Sequence, residues 1–255
     1  METLPITVFR YYGRYAHFRR PYTNVSSLSY PFPPRPTIAG LLGAILGIQK
    51  DKVGENFDND KLKVAVSVEK TVKTCTHVTN FRQDGVGGID YTIKKPGRGW
   101  KSKELRNIPP YNEATQIPME LLRNPSFLVY VHLTDDKASK EFNSRLKAGR
   151  YFYTPCLGLS EFLADIEYVD NGDAIKLDPG EYEVKSVIAK EHCILIKEKL
   201  LGGKHQIQEL KAPHFGTAKR EFTYRRYIVN MIPEPLPVVM KVNVYNMKGT
   251  IVSFM

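Results

Sequence analysis

Cysteine is scarce in this chain of 255 residues: Cys75, Cys156 and Cys193 stand far apart, with no CxxC pair among them. That argues against a disulfide framework and against a zinc site, and it suits a reducing cytoplasm. Long hydrophobic runs are missing as well. The longest, residues 38–48, is about half of the roughly 20 residues that a bilayer crossing needs, so no membrane is expected. The opening METLPITVFRYYG lacks the layout of a signal peptide, because its arginine follows the apolar stretch and no small-residue cleavage site appears. The glycine-studded run 38–48 also lacks the GKS or GKT ending of a Walker phosphate loop. Acid clusters and Cys/His ligand spacings are absent from the sequence, so neither a metal nor a cofactor is expected.

The most informative absence is that of acid near the start. From Thr3 to Lys50 there is no Asp or Glu, while Arg10, Arg14, Arg19, Arg20, Arg35 and Lys50 supply six positive charges. The whole chain carries a formal net charge of +10, which points to a polyanionic partner. Phe9, Tyr11, Tyr12, Tyr15, Phe18, Tyr22, Tyr30 and Phe32 lie among those arginines. A face that needs only solubility would use Lys and Glu. Arginine interleaved with flat rings suits phosphates and unstacked bases.

The expected elements follow from pattern. LPITVFR is β-prone and reads as the first strand; a long aromatic loop, residues 11–36, follows. Pro31, Pro33, Pro34 and Pro36 hold its end extended. Thr37 then suits an N-cap for a helix over 38–48, with Ile38, Leu41, Leu42 and Ile45 as its buried stripe. Gly40, Gly43 and Gly47 fall on another face and suggest a backbone packed alongside, since each costs a helix roughly 1 kcal/mol relative to alanine. Leu62, Val64, Val66 and Val68 alternate as in a half-buried strand, and Lys70 interrupts the parity, which predicts a bulge or bend. Residues 82–110, rich in glycine and lysine, read as an arm or a surface hairpin between two strands of one sheet.

A second helix is expected in DDKASKEFNSRLKAG, capped by Asp135 or Asp136, buried along Ala138, Phe142 and Leu146, and ended by Gly149. A turn, CLGLSE, leads to a strand near 162–169, and the remaining third is mostly strand-like, with a hairpin turning at 247–249. The resulting order, β, α, β, arm, β, α, β, predicts an α+β chain. Its core is a ferredoxin-like (RRM-like) βαββαβ domain with an inserted thumb, followed by a mostly β C-terminal region. The expected division is 1–170, thumb about 82–110, and 171–255.

Three stretches, AHFRRPYTNVSSLSYPFPPRPTIAGLLGAILGI, TQIPMELLRNPSFLVYV and YTPCLGLSEFLADI, taken in order and spacing over residues 8–169, resemble the Cas-five family of CRISPR-associated RAMP proteins. The resemblance implies a subunit of the type I surveillance complex Cascade, closest in look to type I-B. Such a subunit holds the 5′ handle of the CRISPR RNA (crRNA). Its implied partners are Cas-seven-type backbone subunits and a Cas-eight-type large subunit, with target DNA near the thumb. The resemblance further implies a cytoplasmic, antiviral role without catalysis. In the type I-C branch the corresponding protein is instead a metal-independent endoribonuclease that processes pre-crRNA.

On this reading the segment 10–35 cradles a single-stranded RNA end. Arg10, Arg14, Arg19, Arg20 and Arg35 would grip phosphates as forked donors, while Tyr15, His17, Phe18 and Tyr22 would contact bases. The helix start at Thr37 would add backbone N–H groups to one phosphate. Lys94, Lys95, Arg98, Trp100, Lys101 and Lys103 of the arm would brace the guide, and Lys219, Arg220, Arg225 and Arg226 form a weaker basic cluster. For each residue alone a structural role is a credible alternative; Phe18 and Phe32 suit a core equally well. No catalytic residue is expected; were the chain an enzyme, His17 with Tyr15 or Tyr12 would supply acid and base.

Overall fold

A computed structural model describes residues 2–21, 26–82, 114–201, 203–216 and 222–255. Tyr22, Lys219, Arg220 and nearly all of the expected arm, including Lys94, Lys95, Arg98, Trp100, Lys101 and Lys103, lie outside the described residues. The first strand, β1, spans Thr3–Tyr12, and a two-residue β2 covers Tyr15–Ala16. Helix α1, Arg35–Leu46, leads to β3, Leu62–Val68. Then come β4, Thr74–Arg82, β5, Ala114–Arg123, and β6, Ser126–Leu133. Helix α2 is Asp136–Lys147, and β7 is Asp165–Leu177.

The C-terminal third supplies β8, Gly180–Val184, β9, Ile188–Ala189, and β10, Cys193–Leu195. It continues with β11, Ile207–Gly216, β12, Phe222–Asn230, and β13, Leu236–Met240. The last strands are β14, Val244–Met247, and β15, Thr250–Val252. The fold is therefore mixed α/β and rich in strands.

One nine-stranded sheet runs in the order β10-β13-β8-β15-β14-β7-β1-β6-β3. Its section β7-β1-β6-β3 is antiparallel throughout. Alternation along β1 sends Phe9 and Tyr11 to one face and Ile6 and Val8 to the other, and both sets are buried. Helices α1 and α2 cover the first face through Ile38, Leu42, Ile45, Phe142 and Leu146. A smaller cluster of Ala65, Tyr130, Ala174, Met247 and Val252 closes the second. Position 170 falls inside β7, and β14, β15, β8, β13 and β10 extend the same sheet beyond it.

The α2 stretch behaves as its sequence dictates. Asp135 is the N-cap and its side chain accepts from the Lys137 N–H at 2.9 Å, Phe142 and Leu146 are buried, and Gly149 follows the helix at φ +61°. At the C-terminal hairpin, Met247 pairs with Thr250, which leaves Lys248 and Gly249 as a two-residue turn with φ of 50° and 89°. Positive φ at both turn positions matches the twist of the strands.

Helix α1 departs from expectation at both ends. It begins at Arg35 with Pro34 as N-cap, so Thr37 is the third helical residue and caps nothing. Proline tolerates the first turn because its missing N–H has no partner there anyway. The glycines also divide. Gly40 is exposed with open space around it, a Cβ on Gly43 would meet Val53 Cγ2 at 2.9 Å, and Gly47 ends the helix at φ +78° beneath Phe152. The break at Lys70 is the expected bend rather than a bulge: β3 stops at Val68, and β4 belongs to a separate three-stranded sheet, β2-β5-β4. A third sheet, β11-β12-β9, adds Leu210, Ala212, Tyr227 and Val229 to the main core.

Arg35, 2% exposed, ties the start of α1 to the approach of β3: its Nη2 donates to the carbonyls of Asp58 at 2.8 Å and Leu62 at 2.9 Å. Because those acceptors lose a charged donor, Arg35→Met should destabilise the fold by roughly 1.5–3 kcal/mol. The check is a lower urea midpoint at unchanged slope.

Candidate nucleic-acid interface

The acid-free segment does not stay acid-free in space. Arg10 donates through Nε and Nη2 to Glu69, at 2.7 and 2.8 Å, and through Nη1 to Glu167. The Glu69 hydrogen bonds, outweighing burial, raise its already high pKa. With its fork filled by two carboxylates, Arg10 is withdrawn as a phosphate contact. Arg35 is withdrawn too, since it is buried on backbone carbonyls. Phe18 packs in the core, 6.1 Å from the Phe127 ring, and offers no stacking face. Thr37 lies inside the helix rather than at its mouth.

His17 is 1% exposed. Its Nδ1 lies 2.8 Å from the Glu120 carbonyl and its Nε2 2.9 Å from Ser27 Oγ. A carbonyl only accepts, so the proton sits on Nδ1, and Nε2 accepts from the Ser27 hydroxyl. Burial chiefly, with Arg19 adding to it, pulls the pKa below its usual value, against the Glu120 hydrogen bond. A buried ring with both nitrogens engaged cannot reach a ribose, so His17 is not the acid or base of an RNA cleavage.

What His17 does is hold the loop. Glu120 Oε2 accepts the Ser29 N–H at 2.9 Å, Ser29 Oγ accepts the Phe18 N–H at 3.0 Å, and the Ser27 N–H reaches the Pro118 carbonyl at 2.9 Å. On the other side the turn Cys156–Glu161 presses in. The His17 N–H donates to the Leu157 carbonyl at 3.0 Å, and Gly158, at φ +95°, sits so close that a Cβ would fall 2.0 Å from the His17 oxygen. Only glycine fits there.

This scaffold exposes a different set of cations. Tyr15 pairs with Arg123 across β2 and β5. The β4–β5 register that matches Thr74 with Leu122 places Lys73 opposite Arg123, whose N–H donates to the Lys73 carbonyl at 2.8 Å. Side chains directly opposite share a face, so Tyr15, Arg123 and Lys73 form one row. Arg123 and Lys73 are exposed, and like charges so placed repel unless an anion joins them. Arg14 adds a guanidinium 5.7 Å from the Tyr15 ring, which in turn lies 6.3 Å from Phe162. Arg19 is exposed on the neighbouring segment, and Arg20 donates to the Ser29 carbonyl at 2.8 Å beneath the Tyr30 ring.

Four residues along β4 from Lys73, about 14 Å at strand rise, His77 shares that face and is exposed. Lys73 and Arg123 are not apparent from the sequence because only the strand register brings them beside Tyr15, and His77, in a strand-like run, reads there as structural. The alternation of KTCTHV and a partner strand beyond the arm were visible signals; the register between them was not. Among the described residues no group of three or more His, Cys, Asp or Glu could hold a metal ion, and no helix is long and apolar enough to cross a membrane.

Residues 6–228 match the family described as CRISPR-associated protein (Cas_Cas5). A curated relative, the CRISPR pre-crRNA endoribonuclease Cas5d of Thermus thermophilus, is 27% identical over 186 residues, which is 69% of this chain and 72% of the relative. A crystal structure of a CRISPR protein from Archaeoglobus fulgidus shares the fold with a TM-score of 0.53 at 11% identity, over 98% of both chains. A chain of a CRISPR RNA-guided surveillance complex does so at 0.50 and 14% identity, over 91% of both. The Thermus relative is an endoribonuclease, and this overturns the expectation that the chain is not an enzyme.

Because the folded protein holds His17 below the ordinary histidine pKa of 6.5, the unfolded chain takes the proton first. The contribution of His17 to stability is therefore complete above pH 6.5 and is lost as the pH falls below it. Melting temperature followed against pH should decline on that side, and His17→Gln should flatten the decline. Gly158→Ala should cost roughly 1–3 kcal/mol at neutral pH through the strained φ alone, more with the His17 contact, measured by the same melts.

Proposed function

Since the chain belongs to the Cas5 family of CRISPR-associated proteins, we propose that it binds CRISPR RNA along the Tyr15–Arg123–Lys73 face and cleaves the precursor there. The observation that carries the reading is the cross-strand row of two opposed cations beside an aromatic ring, with an exposed histidine on the same side. Arginine and lysine would take phosphates, and Tyr15 with Phe162 would stack an unpaired base. His77 would take the proton of the 2′-hydroxyl, whose oxygen attacks the neighbouring phosphate to form a 2′,3′-cyclic phosphate as the P–O5′ bond breaks, the departing 5′-oxygen taking a proton from water. The relative from Thermus thermophilus supports this activity.

The finer architecture belongs to the same proposal. We take β1, α1, β3, β6, α2 and β7 as a ferredoxin-like βαββαβ body, in support of which stands the antiparallel order β7-β1-β6-β3. The β4–β5 sheet is then the base of the thumb. Residues 1–170 make the RNA-binding body and 171–255 its β-rich extension, joined through β7. After cleavage the protein would keep the 5′ handle and meet Cas-seven-type backbone subunits and a Cas-eight-type large subunit, with target DNA passing near the thumb, in the cytoplasm.

Purified protein incubated with a CRISPR repeat RNA in chelator should yield one discrete cut. His77→Ala should slow it by about 10²–10⁴-fold, the usual share of a general acid or base. An uncut repeat, or His77→Ala cutting at the wild-type rate, contradicts this assignment. Arg19→Glu and Arg123→Glu should each weaken repeat binding and lower its salt dependence by about one unit of slope, as titrations at two salt concentrations would show.

A further inference from the structure

Lys63, Arg225, His192 and His214 are scattered through the sequence, yet all four line one cleft of about 380 Å³. Tyr245 and Phe254 stand in the same wall, their rings 4.8 Å apart at a tilted angle, and the Lys63 ammonium lies 6.0 Å from the Tyr245 ring. Arg35 contributes charge from beneath, though its Nη2 is committed to backbone carbonyls. No Asp or Glu lines the cleft. Acids act on it from outside the lining: Glu191, more than half exposed, has one oxygen 3.4 Å from Arg225 Nε and 3.6 Å from His192 Nε2, while Asp58 acts on Arg35 and Glu2 on Lys63.

The potential inside is felt by His214. Burial first, then Arg225, Arg35 and His192, push it down to about 4, so its ring is neutral at pH 7 with Nδ1 2.9 Å from the Tyr227 hydroxyl. Two buried polar atoms of cleft residues, His192 Nδ1 and Ser253 Oγ, have no hydrogen-bond partner. Concentrated positive charge in a lining without acid suits an anion that brings oxygens of its own. The volume is that of a small-molecule site.

This cleft is separate from the RNA face. Leu62 and Lys63 pair with Leu133 and His132, whereas the other end of the same ladder, Val68 with Phe127, adjoins the turn beside Arg123. Seven residues of β3 put about 20 Å between the two ends. We propose that the cleft is a nucleotide site, which takes a phosphate between Lys63 and Arg225 and lays the base against the Tyr245–Phe254 pair. The site is independent of the cleavage reading above.

Calorimetric titration of the full chain with adenosine 5′-monophosphate, adenosine and inorganic phosphate tests it. The monophosphate should bind saturably and about tenfold more tightly than either part, a difference of about 1.4 kcal/mol. Lys63→Glu and Arg225→Glu should each weaken it by at least about tenfold, and Tyr245→Leu should bring the monophosphate down to the level of phosphate. Arg225→Gln serves where Arg225→Glu lowers the melting temperature. Equal affinity for monophosphate and phosphate, no saturable binding, unchanged affinity in the folded variants, or displacement of the nucleotide by a poly-glutamate peptide would each overturn the proposal. No repeat RNA enters the measurement, so its outcome is distinct from that of the cleavage assay.

Discussion

His17 cannot take a second proton where it sits without bringing charge into a space that is 1% exposed and has Arg19 beside it. It stays neutral, with one nitrogen donating to Glu120 and the other accepting from Ser27. From that fixed ring follow the seat of Ser27 against β5, the Ser29 bridge between Phe18 and Glu120, and the approach of the Gly158 turn from the opposite side. The loop that carries Arg14, Tyr15, Arg19 and Arg20 is therefore a braced surface. A phosphate bound as proposed would meet cations that are already placed, with little conformational entropy left to lose.

The arginines of the first fifty residues meet different fates, and physical chemistry sorts them. Arg35 is deep enough that burial lowers its pKa, and the backbone carbonyls it donates to, with Tyr227 and Asp58 nearby, support its charge. Arg10 lies at the sheet surface, where Glu69 and Glu167 can both reach it. Arg14 and Arg19 lie beyond the reach of any carboxylate among the described ion pairs, and the register adds Arg123 and Lys73 to them. Net charge announces a polyanionic partner, but only this sorting says which charges remain to meet it.

Local signals were legible because their physics is local. The capped, amphipathic α2, the alternation of β3 and the turn at Lys248 and Gly249 each depend on neighbours a few residues away. The start of α1 was misjudged because a proline in the first turn permits helix where the preceding prolines suggest extension. The acid-free stretch misled for a different reason: Glu69, Glu120 and Glu167 are distant in sequence, and nothing local shows that the fold returns them to Arg10 and Ser29. His17 looked like an RNA contact, and the acid or base were the chain an enzyme, because it lay in the right loop. Its burial is a property of β5, which arrives a hundred residues later.

The same geometry explains why His77 suits proton transfer better than His17 does. A general base must reach its substrate and release its proton afterwards, so a ring locked between a carbonyl and a hydroxyl has neither freedom. His77 projects from the middle of β4, with Met119 opposite it on β5. A strand held by a full ladder fixes its position to within the pleat, while exposure leaves the ring free to turn. Rigidity beneath and access above are what cleavage without a metal would demand of it, since no cation would then be there to correct the alignment of the reacting oxygens. In this chain the buried histidine braces the loop, and of the two only the exposed one could reach a substrate.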